Sequence, residues 1–186
     1  MAKTELNTAL KGISGSIDNW VYRRFGNRTV ICGRPRRTAA PLSAAQENVR
    51  EQFRLASGYA DSVLADPALR AVYTAIAHAQ GRRLRAVVMA DFLNPPVVDA
   101  IDLAGYHGAI GDPIKVRASD NTGVMAVTVM LRAEDDSLIE QGPATLQAGL
   151  WEYQATTACA PGTPVSITAT AVDRPGHTGS KLTIWS

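Results

Sequence analysis

Val165-Ser166-Ile167-Thr168-Ala169-Thr170-Ala171-Val172 alternates apolar and small or hydroxyl-bearing side chains without interruption. Neighbouring side chains on a strand point to opposite faces, so Val165, Ile167, Ala169 and Ala171 share one face and Ser166, Thr168 and Thr170 the other. One face suits a core and the other suits water, the pattern of an antiparallel sheet covered on one side. The same period runs outward in both directions. Arg174-Pro175-Gly176-His177 turns the chain into a last strand through Leu182 and Ile184. Upstream, residues 150–156 put Trp151, Tyr153 and Ala155 on one face, and residues 138–140 follow the polar turn Glu134-Asp135-Asp136-Ser137. Residues 124–132 centre on Met125, Val127, Val129 and Leu131. Ile114, Val116 and Ala118 alternate with Lys115 and Arg117, and residues 97–103 come first. About seven short strands at regular spacing predict an antiparallel β-sandwich over residues 97–186.

The sandwich begins at a hard stop, Asn94-Pro95-Pro96, because proline lacks the amide proton a helix needs and crowds the residue before it. Before that stop the apolar period is near 3.6. Ser43-Ala44-Ala45-Gln46 has the capping-box pattern, and Val49, Phe53, Ala56, Ala60 and Val63 then mark one helix face at steps of four and three. Asp66-Pro67 starts a second helix, with Asp66 as N-cap and Pro67 in the first position, and Gly81 suits its C-terminus. Leu69, Val72, Tyr73 and Ile76 are its expected inner face. A third helix over residues 82–93 is expected to bury Leu84, Val87, Val88 and Phe92. Residues 43–96 thus read as a helical module.

Residues 1–42 form a third region. Residues 1–16 are small and polar, with Gly12 and Gly15, a composition that is flexible alone. Ile17-Asp18-Asn19-Trp20-Val21-Tyr22-Arg23-Arg24-Phe25 and Arg28-Thr29-Val30-Ile31-Cys32 flank Gly26-Asn27, which predicts a β-hairpin. Gly33-Arg34-Pro35-Arg36-Arg37 ends it. Trp20, Tyr22 and Arg24 face one way and Val21, Arg23 and Phe25 the other, so both faces carry a large apolar group. A lone hairpin is marginal in water, and one that is apolar on both sides needs cover on both.

Two resemblances bear on this division. Ala169-Thr170-Ala171-Val172-Asp173-Arg174-Pro175-Gly176-His177 resembles the penultimate strand and turn of bacterial immunoglobulin-like modules, with His177 where asparagine is usual. The resemblance implies an immunoglobulin-like sandwich for residues 97–186, used as a spacer, adhesive unit or decoration. Gly12, Gly15, Val21, Arg23, Arg24, Gly26, Arg34 and Pro35, ahead of the Ser43–Gln46 helix start, resemble the opening of uncharacterised bacterial and phage-like proteins. That likeness implies a defined arm and no known activity. The expected class is α+β: a basic arm with a β-hairpin over 1–42, three short helices over 43–96, and an antiparallel immunoglobulin-like β-sandwich over 97–186.

The formal net charge of +2 conceals a division along the chain. Residues 1–42 carry eight Lys/Arg against Glu5 and Asp18, whereas residues 97–186 carry five basic and ten acidic side chains. A basic arm on an acidic body attracts either nucleic acid or another copy of that body. The hydrophobic fraction of 46% suffices for a core. No stretch of about 18 apolar residues spans a bilayer. The opening Met1-Ala2-Lys3-Thr4-Glu5 lacks the apolar centre of a secretory signal, so cytoplasmic synthesis is expected, for a chain that could end in an extracellular or virion-like assembly.

Catalytic patterns are missing. His78, His107 and His177 are scattered over helix, loop and turn, and no nucleophile elbow, zinc-protease motif, phosphate loop or Cys-x-x-Cys occurs. Asp135 and Asp136 read as a hairpin tip. Asp99, Asp102, Asp112, Asp120 and Asp173 could gather round a calcium ion, but no Asp-x-Asp-x-Asp spacing supports that. Cys32 and Cys159 are too few for a zinc site and read as idle thiols, or as one bridge if the arm docks on the sandwich. No enzyme activity, cofactor or metal is expected.

The arm is the remaining candidate. Trp20, Val21, Tyr22, Arg23, Arg24, Phe25, Val30 and Ile31 are the expected interface residues. Exchange of the arm between subunits by strand addition would make the chain a self-assembling structural subunit of a fibre, appendage or virion-like particle. Two other uses stay open: docking back on its own chain, and a binding or adapter role in which arginines clamp phosphates of a nucleic acid, or an envelope surface, and aromatics stack on bases.

Overall fold

In a computed structural model, which describes residues 13–25, 28–34 and 41–186, the chain forms two compact units, Met1–Ser43 and Ala44–Ser186. Of the features read from the sequence, Gly12, Gly26-Asn27, Pro35, Arg36 and Arg37 lie outside the described residues.

The second unit opens with three helices: α1 (Ala44–Ala65), α2 (Pro67–Ala79) and α3 (Leu84–Leu93). Asp66 caps α2 as its chemistry dictates, its Oδ1 accepting from the amides of Ala68 at 2.8 Å and Leu69 at 3.1 Å. Gly81 takes the left-handed backbone at φ 61° just past the C-terminus of α2, where glycine does so without strain. The helical core is Ala60, Val63, Tyr73, Ala77, Val87 and Val88. Two expectations fail here. Val72 is exposed and Ala77 is buried, so the inner face of α2 is rotated towards Tyr73 and Ala77. The α1 stripe is only half used: Ala56, Ala60 and Val63 are buried, but Val49 and Phe53 are exposed. Length explains this. At about 1.5 Å per residue, α2 and α3 are too short to cover the 22 residues of α1.

After Pro96 come eight strands: β4 (Val97–Asp102), β5 (Pro113–Ser119), β6 (Ala126–Arg132), β7 (Leu138–Pro143), β8 (Thr145–Gln147), β9 (Leu150–Gln154), β10 (Val165–Val172) and β11 (Thr178–Trp185). One sheet has the order β11-β10-β6-β7 and the other β4-β5-β9-β8, all antiparallel. Lettered A to G with an added C′, the first is the G-F-C-C′ sheet and the second the A-B-E-D sheet of an immunoglobulin-like sandwich. The strand missed by the sequence reading is β8, three residues too short to show a period.

The core lies between the sheets. Val165, Ile167, Ala169 and Ala171 are all buried, and the register places Ile167 beside Leu131, Ala169 beside Val129 and Ala171 beside Val127. Val98, Ile114, Val116 and Tyr153 meet them from the second sheet. Each fully buried large apolar side chain contributes about 1.5–3 kcal/mol over its exposed state. Met125, expected inside, is exposed because β6 begins one residue later, at Ala126. Leu182 and Ile184 are likewise exposed on the outer face of β11. Among the described residues, no helix is long and apolar enough to cross a membrane.

Candidate assembly interface

The first unit is a single antiparallel sheet of three strands, β1 (Gly15–Ile17), β2 (Trp20–Phe25) and β3 (Arg28–Gly33), in that order. Ile17 pairs with Trp20 across a two-residue connection in which Asp18 adopts φ 50°. Aspartate tolerates that left-handed backbone better than most residues. The single strand expected over residues 17–25 is therefore broken at Asp18-Asn19, and part of the supposedly flexible lead is a strand. Arg34 N donates to the Asn19 carbonyl at 2.7 Å and holds the end of β3 to this turn.

All eight expected interface residues fall in β2 and β3. The register, with Tyr22 opposite Ile31 and Gly15, puts Ile17, Trp20, Tyr22 and Ile31 on one face. Val21, Phe25, Val30 and Cys32 share the other, where Arg23 pairs with Val30. No described residue of the three strands is buried; Trp20 is 54% exposed and Phe25 62%. One layer of three short strands has nothing between its two faces to form a core. Within it, Cys32 Sγ donates weakly to the Val21 carbonyl at 3.5 Å. Cys32 and Cys159 are both free thiols.

The second unit offers surfaces of two kinds. The first is the sheet margin. The start of β11 is met by β4: Lys181 Nζ donates to the Asp99 carbonyl at 2.5 Å, next to the bulge between Val98 and Ala100. Beyond it, β11 is an edge strand that displays Leu182 and Ile184, and β7 is the opposite edge. Exposed edges present unpaired main-chain groups to any strand that can align with them. The second surface is an open groove of about 870 Å³ along α2, lined by Leu64, Pro67, Ala71 and Ala75 with Arg70 and His78.

A polar cluster between helices and sandwich was not legible in the sequence. Asp91 is fully buried, accepting from the Tyr73 hydroxyl at Oδ2 and from the Thr122 hydroxyl at Oδ1, the latter at 2.6 Å. Tyr59 and Tyr73 share a hydrogen bond of 3.1 Å, Phe92 meets the His177 ring edge-on at 4.8 Å, and the Arg174 guanidinium stands over the Tyr73 ring. Burial raises the Asp91 carboxyl above its ordinary range despite the bonds from Thr122 and Tyr73, and the nearby Asp120 and Asp173 add to this. Burial likewise raises Tyr73. Asp173 is buried too, its Oδ1 accepting from the His177 amide at 2.6 Å. These groups are spent on joining one layer to another. Asp112 folds back on its loop, accepting from the His107 and Ala109 amides, which holds its carboxyl low. Among the described residues, no three His, Cys, Asp or Glu are placed to hold a metal ion.

The fold and surfaces define a class: an immunoglobulin-like sandwich with a helical module, preceded by a separate, exposed, basic β-sheet. No family model and no curated protein matches this chain. Among solved structures it is similar to CopC from Methylosinus trichosporium OB3b, at 14% identity, 48% of this chain, 89% of that chain and a TM-score of 0.37. It is also similar to a bromine derivative of BhCBM56, at 18% identity, 42% and 84% coverage and a TM-score of 0.32. An engineered protein matches at 24% identity over 48% of this chain and 19% of its own, with a TM-score of 0.34. The sandwich assignment rests on the strand order above.

Proposed function

We propose that the chain is a non-enzymatic structural subunit that assembles with copies of itself, the arm of one copy adding to a sheet edge of the next. One observation carries this reading: the β1–β2–β3 sheet bears large apolar side chains on both faces and buries none of them. Strand addition supplies main-chain hydrogen bonds along the edge and cover for the side chains. The edge of β11 beyond Lys181, with Leu182 and Ile184 exposed, is the preferred acceptor. The basic arm and the acidic sandwich favour encounter, although each exposed ion pair contributes only about 0–1 kcal/mol. The likeness of the arm to uncharacterised phage-like openings, and of the sandwich to bacterial immunoglobulin-like modules, is in keeping with a particle or appendage component.

Electron microscopy and sedimentation of the purified full-length chain test this. Large regular particles that become monomers at micromolar concentration when residues 1–40 are removed support it. A full-length monomer at every concentration, or assemblies that survive the truncation, would sink it. The second reading draws on Arg23 and Arg28, both exposed in the same sheet as Trp20. If the arm instead binds nucleic acid, affinity falls steeply with salt, by about one power of concentration per phosphate contacted.

A further inference from the structure

We infer that the junction between the helices and the sandwich is a proton-operated latch, closed while Asp91 carries a proton and loosened when that carboxyl ionises. Nothing in it depends on the arm or on contact between copies. The junction is built so that it opens without melting either side. The helical core of Ala60, Val63, Tyr73, Ala77, Val87 and Val88 shares no residue with the sandwich core. The links between them are largely polar and come from loops. Besides the bond from Thr122 to Asp91, Gln80 Nε2 donates to the Asn121 carbonyl at 3.0 Å, and Asn121 Nδ2 donates to the Ala90 carbonyl at 3.3 Å. The chain itself crosses from α3 to β4 at Asn94-Pro95-Pro96, where the Pro96 carbonyl is packed against Gly179. That crossing is the hinge, and Asp91 lies one helical turn before it.

Asp91 is wholly buried, and the groups that hold it, the Tyr73 and Thr122 hydroxyls, carry no charge to balance a carboxylate. Every element around it brings titratable or charged groups. From α1 comes Tyr59, bonded to Tyr73 of α2 at 3.1 Å. The loop between β5 and β6 brings Asp120, whose Oδ1 is buried with no hydrogen-bond partner among the described residues. The turn between β10 and β11 brings Asp173, Arg174 and His177, and Asp173 is buried as well. His177 Nδ1 faces Asp173 Oδ2 at 3.3 Å, and the Arg174 guanidinium stands 5.8 Å from the centroid of the Tyr73 ring. Ionised, Asp91 sets three carboxylates against two cations, one of them a histidine that is charged only when protonated. A buried charge in surplus is costly.

A proton on Asp91 removes that surplus, and the bonds accommodate it. On Oδ1 it reverses the bond to Thr122, whose own hydrogen then lies within reach of Asp120 Oδ2 at 3.4 Å. Burial raises the Asp91 carboxyl above its ordinary range, with Asp120 and Asp173 adding to the effect, which agrees with this count. The closed junction therefore holds the proton more tightly than the open one. The latch is shut at low pH and loosens as the pH rises through the closed-state value. Discharge of His177 weakens its hold on Asp173 in the same direction, so the two groups have to be separated by experiment.

Hydrogen exchange of the full-length chain, read by mass spectrometry from about pH 4 to about pH 9 and normalised to the intrinsic rate at each pH, does so. Protection of residues 84–93 and 120–123 should fall on the order of tenfold or more as the pH rises, a factor of ten for each pH unit by which the closed-state value exceeds the open one. Protection of β6 and β10 should hold. Asp91→Asn, which fixes the uncharged form, should keep the junction protected across the series, with β6 and β10 showing that the variant is folded. His177→Gln should still loosen. A parent whose junction stays equally protected, a fall shared equally by β6 and β10, or a fall that persists in Asp91→Asn overturns the inference. Loosening that disappears in His177→Gln assigns the switch to the Asp173–His177 pair and overturns it too.

Discussion

Thr122 donates its hydroxyl to Asp91 Oδ1 at 2.6 Å, and so ties the last helix to the loop between β5 and β6. Tyr73 donates to the other oxygen of the same carboxylate, so one buried side chain holds α2, α3 and the sandwich together.

Removing that acceptor should be costly. In Asp91→Ala the buried Tyr73 hydroxyl and the half-buried Thr122 hydroxyl lose this acceptor and keep only their longer bonds to Tyr59 and Asp120, a loss of about 1–3 kcal/mol at neutral pH, measurable by urea unfolding. Asp91→Asn keeps the shape and one acceptor and should cost less than half as much. A fully stable Asp91→Ala variant would show that the cluster does not hold the layers together.

The same carboxyl gives a pH dependence of defined sign. Its folded-state value is raised above the ordinary 3.8, so between the two values the native state keeps a proton that the unfolded chain has released. Its contribution is fully present below 3.8 and is lost as the pH rises through the folded value. Asp61 and Asp112 are lowered, one chiefly by its bond to Arg85 and the other by backbone amides, and their contributions are lost as the pH falls. Asp91→Asn should therefore flatten the decline in stability on raising the pH from about 4 to about 8 and leave the acid limb in place. Unfolding curves at several pH values check this, and identical slopes in parent and variant would refute it.

Two glycines should respond in opposite ways. Gly58 lies within α1 with open space around an added Cβ, so Gly58→Ala should stabilise by about 0.5–1 kcal/mol through helix propensity. A Cβ on Gly179 would stand 1.8 Å from the Pro96 carbonyl oxygen, which is backbone and cannot swing aside. Gly179→Ala should destabilise by about 2 kcal/mol or more, because β4 must move off β11. Thermal melts of the two variants, shifting in opposite directions, test how tightly the first strand closes over the last.

What the sequence disclosed depended on how local the cause was. Pro95-Pro96 separates α3 from β4, Asp66 caps α2, and the alternation in β10 is matched residue by residue in its burial, because caps, prolines and strand faces act over a few neighbours. Val49 and Phe53 were misplaced because a helix pattern carries no information about the length of the helix that must cover it. Asp91 sits on a face that reads as apolar, and its burial depends on Thr122, 31 residues further along. The arm shows both sides of this. Its apolar faces and its hairpin were legible, whereas β1 was hidden by a glycine-rich composition that reads as coil. The surface that would cover the arm has no signature in a single chain.

The last prediction separates stability from assembly. The arm is a compact unit of its own, and both cores of the body are made from body residues. Trp20→Ser with Phe25→Ser should therefore leave the main unfolding transition within about 2 °C of the parent, while removing the apolar cover that strand addition needs. Ile167→Ala should behave in the opposite way. It empties a fully buried position in the sandwich and should cost about 2–5 kcal/mol, with assembly retained at temperatures where the domain stays folded. Calorimetry and light scattering on the same samples give the two readouts. An arm variant that melts far below the parent would mean that Trp20 and Phe25 serve the chain's own fold, and the reason for giving them to a neighbouring copy would be gone.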